Sequence, residues 1–138
     1  MNKDKVVWVL RGVSGSGKST VADQLCHLIG DWTKVRVCSA DDFFMEGEEY
    51  KFDPKKLEAA HAYCREKFTE AIERETETII LANTNTQFWE FEKYKAQAEA
   101  AGYTVFCIIV ENRHGGKNVH GVPEEKIQQM KDRFEVQL

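Results

Sequence analysis

A chain of 138 residues is the size of one ordinary domain, long enough to bury a continuous core and too short for two. With 42% hydrophobic residues, 30% charged residues and only two prolines, its composition is globular rather than disordered. A net charge of −4 excludes the basic stripe of a protein that coats nucleic acid, so any nucleic-acid contact has to be local, for instance at an end.

The run KVVWVLRG (5–12) is β-branched and apolar and stops at glycine, which predicts a strand buried on both faces. KSTVADQLCHLIG (18–30) predicts an amphipathic helix with Val21, Leu25, Leu28 and Ile29 on its apolar stripe and a closing glycine. VRVCSA (35–40) reads as a second strand, followed by the acidic stretch DDFFMEGEEYKFD. Pro54 suits a first helical position, and Leu57, Ala60, Cys64, Phe68, Ala71 and Ile72 line one stripe of a long helix. TIILAN (78–83) is a third strand. The segment 86–102 is a helix with Thr86 as a cap, Trp89, Tyr94, Ala98 and Ala101 inward, and Gly102 at its end. YTVFCIIV (103–110) is a fourth strand, ENRHGGKNVHGV a loop, and the segment from Pro123 a last helix with Ile127, Met130 and Phe134 inward.

The longest apolar stretch, VFCIIV at 105–110, falls far short of the roughly 20 residues that span a bilayer, and the N-terminus has no signal-peptide pattern. The expected location is intracellular, in the cytoplasm, with no membrane partner. Cys26, Cys38, Cys64 and Cys107 form no CxxC pair and sit in apolar-periodic segments, so they read as reduced core thiols.

Strand and helix alternate throughout, the pattern of βαβ units around a parallel sheet. Ligands in such sheets gather at the carboxyl ends of the strands, where the glycine-rich turn, DDFF and NTNT all fall. GVSGSGKST matches G-x-x-x-x-G-K-[ST] between a strand and a helix, the context the motif requires. Gly12, Val13, Ser14, Gly15, Ser16 and Gly17 would turn amide N–H groups around a polyphosphate, with Lys18, Ser19 and Thr20 opening the helix behind it. Lys18 would reach the outer phosphates, and Ser19 would offer its hydroxyl to a magnesium ion bridging them. The chain lacks an N-K-x-D guanine reader, and its third strand ends in Ala82 and Asn83 rather than a magnesium-holding acid. A small chain with an acid after the second strand therefore fits a kinase better than a switch GTPase or a motor.

Phosphoryl transfer to a hydroxyl needs a carboxylate to take the acceptor's proton, and Asp41 or Asp42 can supply it. Side by side on an extended segment they would point opposite ways, so one faces the nucleotide; Asp41 is the first choice. Positive charge over the transferring group would come from a lid at 111–122, where Arg113, His114, Lys117 and His120 surround Gly115 and Gly116. Arg113 and Lys117 are the lid cations, Arg113 first because a guanidinium grips two oxygens at once. His61, Trp89 and Tyr94 read as packed residues, whereas Tyr50 and Phe52 flank the mouth of the site as rings on which a nucleobase could stack.

Taken together, GVSGSGKST, SADDFF, YKFDPKKLEAAHAYCR, NTNT followed by WE, and KNVHGVPEEKIQQM resemble the P-loop kinase domain of polynucleotide 5′-hydroxyl kinases. The likeness is strongest to an AAA-type branch found in phages and animals. The resemblance implies a three-layer α/β P-loop fold over 1–138, with a central parallel sheet of about four strands flanked by helices and the phosphate-loop strand inside. It also implies ATP- and magnesium-dependent phosphorylation of the 5′-hydroxyl end of RNA or DNA. Lys18 and Ser19 take the places of the phosphate-loop lysine and serine, Asp41 that of the general base, and Arg113 or Lys117 that of the lid arginine. The phage polynucleotide kinase has, three residues after its base, an arginine that handles the acceptor phosphate; Phe44 stands in that place, and Asn83 stands where the family has an aspartate bracing that arginine. An acceptor phosphate would then meet Lys51, Arg65 or Lys93 instead. The acidic charge and Phe44 favour one alternative, a kinase for a nucleoside, sugar or antibiotic; a second alternative is a regulatory nucleotide-binding protein without transfer.

Overall fold

The computed structural model describes residues 4–13, 16–47, 49–85, 87–111 and 124–134. In chain order the elements are β1 (Val6–Arg11), α1 (Lys18–Ile29), β2 (Val35–Cys38), the short strands β3 (Met45–Glu46) and β4 (Glu49–Tyr50), α2 (Leu57–Glu73), β5 (Thr78–Ala82), α3 (Phe88–Ala100), β6 (Thr104–Ile109) and α4 (Glu124–Asp132). Four strands form one sheet in the order β2-β5-β1-β6, every pairing parallel, with Val6 beside both Thr78 and Thr104. The phosphate-loop strand is thus interior, and its β-branched run is buried from both faces, as a parallel sheet between helix layers requires. On one face Val7, Val9, Ile79 and Leu81 pack with Ala60, Cys64, Phe68 and Ala71 of α2 and Phe91 and Ala98 of α3. On the other, Leu10, Ile80 and Ala82 meet Ala22 and Cys26 of α1.

The helices exist where periodicity places them, yet the buried line is not always the expected one. α1 buries Ala22 and Cys26, one turn apart, and Leu28 lies 84% exposed. Two residues past Cys26 is about 200° further round the helix, on its far side. α3 begins at Phe88 with Gln87 at its cap position, Thr86 lying outside the described residues; it buries Phe91 and Ala98, so Trp89 is turned 68% to solvent by the same geometry. Leu57, at the first residue of α2, is exposed. Gly30 closes α1 in the left-handed region at φ 76, its N–H donating to the Cys26 carbonyl at 3.0 Å.

Two local features depart from the expected elements. β2 ends at Cys38, two residues early, because the Ser39 hydroxyl accepts from the Asp41 N–H at 3.2 Å and starts a 3₁₀ turn over Ala40–Phe44. The acidic stretch beyond it is an antiparallel hairpin, Met45 opposite Tyr50 and Glu46 opposite Glu49, turning at Gly47 with φ 64. Two glutamates face to face repel. Lys51 offsets this by pairing with both, at 3.0 and 3.5 Å. Cys26, Cys38 and Cys64 are buried and Cys107 is partly buried, all as free thiols; burial pushes Cys38 up to about 12. Among the described residues no helix is long and apolar enough to cross a membrane.

Candidate functional site

The turns after β1, β2 and β5 meet at one end of the sheet and are tied together by hydrogen bonds. The Gly12 N–H donates to the Thr84 carbonyl at 3.0 Å, joining the phosphate loop to the turn after β5. The Ala40 N–H donates to Asn83 Oδ1 at 2.9 Å, joining that turn to the one after β2, while Asn83 Nδ2 reaches Cys64 Sγ on α2 at 3.5 Å.

Within the loop Gly12 is irreplaceable for a steric reason. A Cβ there would collide with Ser16 Oγ and lie 2.6 Å from the Val110 carbonyl oxygen. Gly17 sits at φ 105, where side chains are strained, and its left-handed turn leads directly into α1. Ser16 Oγ is buried with no hydrogen-bond partner among the described residues, an orphan polar group at the loop that an incoming phosphate oxygen would satisfy. Lys18 Nζ donates to the carbonyl oxygens of Gly12 and Val13, at 2.7 and 3.1 Å. Burial lowers its pKa to about 8, against the pull of Asp41, which favours the charged form. An ammonium that has lost hydration and donates to neutral carbonyls, with Asp41 offsetting only part of the loss, is short of negative charge, which is what a polyphosphate brings. Ser19 and Thr20 are exposed on the first turn of α1. One protein hydroxyl plus phosphate oxygens and water suits magnesium, which keeps much of its hydration shell, so the residues present fit the ion. Ser14 and Gly15 lie outside the described residues.

The two acids diverge, although on a 3₁₀ turn rather than an extended segment. Asp41 is half-buried, on the side of Lys18, and its Oδ1 accepts from the Tyr50 hydroxyl at 3.1 Å. Asp42 is exposed and pairs with Lys67 of α2 at 3.5 Å. Phe44 does not line an open acceptor surface. It is buried in a ring cluster with Phe43, Tyr50 and Phe52, at centroid distances of 5.4, 6.1 and 5.1 Å, and forms the floor on which the hairpin rests. Tyr50 is partly buried rather than open; Phe52, stacked on it at 10°, remains 48% exposed. Arg65 is exposed on α2 and held by Glu58 at 3.2 Å, Lys51 is engaged by the hairpin glutamates, and Lys93 is exposed on α3. Arg113, His114, Lys117 and His120, with nearly all of the 111–122 loop, lie outside the described residues.

Three residues of the site escaped the sequence reading. Arg11, the last residue of β1, is fully buried; its Nε donates to the Asn85 carbonyl at 2.8 Å, and its guanidinium lies over the rings of Phe91 and Phe134, 4.6 and 5.1 Å away. Asn85 is buried at φ 45, a backbone state asparagine tolerates, and its Nδ2 donates to the Asn83 carbonyl at 3.3 Å. A charge at the end of a buried strand and the spaced asparagines of NTNT were the available signals. Lys67 had none, since its partner is distant in sequence. Surface grooves along α2 near Arg65 and at the amino-terminal end of β2 contain neither Lys18 nor Asp41. Chemistry, not concavity, marks the site.

A parallel sheet with its glycine-rich loop between an interior strand and a helix, and an acid in the turn after β2, defines a P-loop kinase-like domain. The chain belongs to the AAA domain family, whose model matches residues 7–137. It is 34% identical over 137 residues to NEDD4-binding protein 2 of Homo sapiens, covering 94% of this chain and 8% of that protein. The chain therefore spans a small fraction of that relative's length. Among solved structures it shares its fold with a chain of the Pnkp1/Rnl/Hen1 complex (20% identity, TM-score 0.57, 100% of this chain and 42% of that one) and with a gluconokinase from Sinorhizobium meliloti 1021 (16% identity, TM-score 0.55, 98% and 77%).

Proposed function

We propose that the protein is an ATP- and magnesium-dependent kinase that phosphorylates the 5′-hydroxyl end of RNA or DNA. The observation that carries this reading is the convergence of Lys18 and Asp41 at the strand ends, close enough for the Asp41 charge to act on the Lys18 ammonium. ATP supplies the phosphoryl group. The loop amides and Lys18 bind and orient it, and Ser19 would hold the magnesium ion. Asp41 accepts the proton of the acceptor hydroxyl as that oxygen bonds to the terminal phosphorus and the bond to the bridging oxygen breaks. Arg113 and Lys117 close over the transferring group in this reading. Phe52 offers an exposed ring to a base of the acceptor, compatible with a nucleic-acid end gripped by stacking rather than by many phosphates.

A small-molecule hydroxyl is the second reading, favoured by Phe44 filling the place of the acceptor-binding arginine. The deciding experiment offers γ-labelled ATP and magnesium with 5′-hydroxyl RNA and DNA oligonucleotides beside a panel of nucleosides and sugars. Label is expected on the oligonucleotides. Label confined to a small molecule would replace this reading with the second, and tight ATP binding with no transfer to any acceptor would favour a regulatory role.

A further inference from the structure

We infer that Tyr50 is a positioning residue for the Asp41 carboxylate, so that the β3–β4 hairpin, together with the turn after β2, sets the orientation of the base. The inference rests on Asp41 acting as that base. Tyr50 is nine residues away along the chain, yet its hydroxyl lies 3.1 Å from Asp41 Oδ1 because the hairpin folds back over the turn that carries the acid. Three features make that hydroxyl a fixed donor. The ring is packed edge-on to Phe44 and parallel to Phe52, which restricts its rotation. The Lys51 N–H donates to the Phe44 carbonyl at 2.9 Å, clamping the far end of the hairpin to the turn. Lys51 Nζ, bridging Glu46 and Glu49, opposes the repulsion that would open it.

The chemistry suits a donor and not an acid. Burial raises the phenol's pKa, and the Asp41 charge and hydrogen bond add to that rise, so the Tyr50 proton stays on oxygen. The carboxylate consequently meets an arriving hydroxyl from one preset orientation, where an unheld side chain would sample several rotamers. Phe52 covers the ring of the partly buried Tyr50 and is itself exposed, so Phe52 is the ring of this stack that a nucleobase would meet. A substrate pressing on Phe52 would bear on the hairpin that holds the base.

Tyr50→Phe removes the hydroxyl and keeps the ring cluster. It is expected to lower kcat about tenfold or more, the scale of one hydrogen bond to a charged group, with KM for ATP and the unfolding midpoint unchanged. Tyr50→Leu, which also removes the ring, should lower kcat and the midpoint together. A readout independent of turnover is the NMR chemical shift of the Tyr50 phenol carbon at neutral pH, which should move in Asp41→Asn as the hydrogen bond to the carboxylate is lost. A kcat within twofold of the parent in Tyr50→Phe, or a drop matched by lost stability, would overturn the inference. So would an unmoved Tyr50 shift in Asp41→Asn. If Asp41→Asn leaves transfer intact while the Tyr50 shift moves, the contact exists but Asp41 is not the base, and the inference falls with that assignment alone.

Discussion

Lys18 should take up a proton when nucleotide binds. In the free protein its ammonium donates to two backbone carbonyls and is desolvated by burial, which lowers its pKa to about 8 although the Asp41 charge pulls the other way. A bound polyphosphate adds several negative charges against it and should return it to the ordinary lysine range, about 10.4. At pH 8 the free protein is about half protonated at this site, so binding draws about half a proton per nucleotide; at pH 9 the figure is about nine-tenths. If only the ammonium form binds, affinity falls about tenfold between pH 7 and pH 9, about 1.4 kcal/mol. The nucleotide's own terminal phosphate, with its last pKa near 6, contributes little there. Without nucleotide the same shift makes the fold more stable as pH rises from about 8 towards 10.5, because the unfolded chain retains the proton that folded Lys18 has released. Calorimetry of ATP binding in buffers of different ionisation enthalpy counts the protons. No uptake at pH 8 to 9, or undiminished uptake in Lys18→Met, would refute the reasoning.

Other consequences can be checked separately. Asp41→Asn should keep nucleotide affinity and lose transfer, whereas Asp42→Asn, which breaks a partly exposed pair with Lys67, should stay within a few-fold of the parent; the reverse order in a transfer assay would move the base to Asp42. Arg113→Ala should cut turnover by roughly 10³, the scale of transition-state arginines, and a change below about threefold would remove the lid from the account. In urea melts, Phe68→Ala, which empties a fully buried site between α2 and the sheet, should cost about 3–5 kcal/mol. Leu28→Ala on the solvent side of α1 should stay within about 0.5 kcal/mol, and equal losses would contradict the burial assigned to these helices.

What the sequence discloses is governed by range. VVWVLR and TIILA are strands by composition, and the loop between the first strand and helix is legible because its glycines, lysine and serine sit at fixed spacing. The rotational setting of α1 and α3 was harder. Leu28 and Trp89 are large and apolar, so periodicity counts them as inward, while Ala22 and Cys26 of α1 and Phe91 of α3 take the crowded places against the sheet, beside Ala98, which periodicity does place inward. The hairpin after Phe44 hides in a run of glutamates, and its one signal is Gly47. Asp41 and the loop were visible as chemistry. The groups that aim them were not, because Asn83 to Ala40, Tyr50 to Asp41 and Arg11 to Asn85 join turns that only the folded sheet brings together. Phe44 reads in sequence as a missing arginine; in the structure it is the buried floor of the hairpin.

The most direct test compares two oligonucleotides identical in sequence, one ending in a 5′-hydroxyl and the other already carrying a 5′-phosphate, each incubated with γ-labelled ATP and magnesium. Transfer is predicted to the first only, to a limit of one phosphate per chain, and to vanish in Asp41→Asn. Equal labelling of both, or labelling of neither while a sugar or nucleoside accepts phosphate, would contradict a kinase acting on 5′-hydroxyl ends.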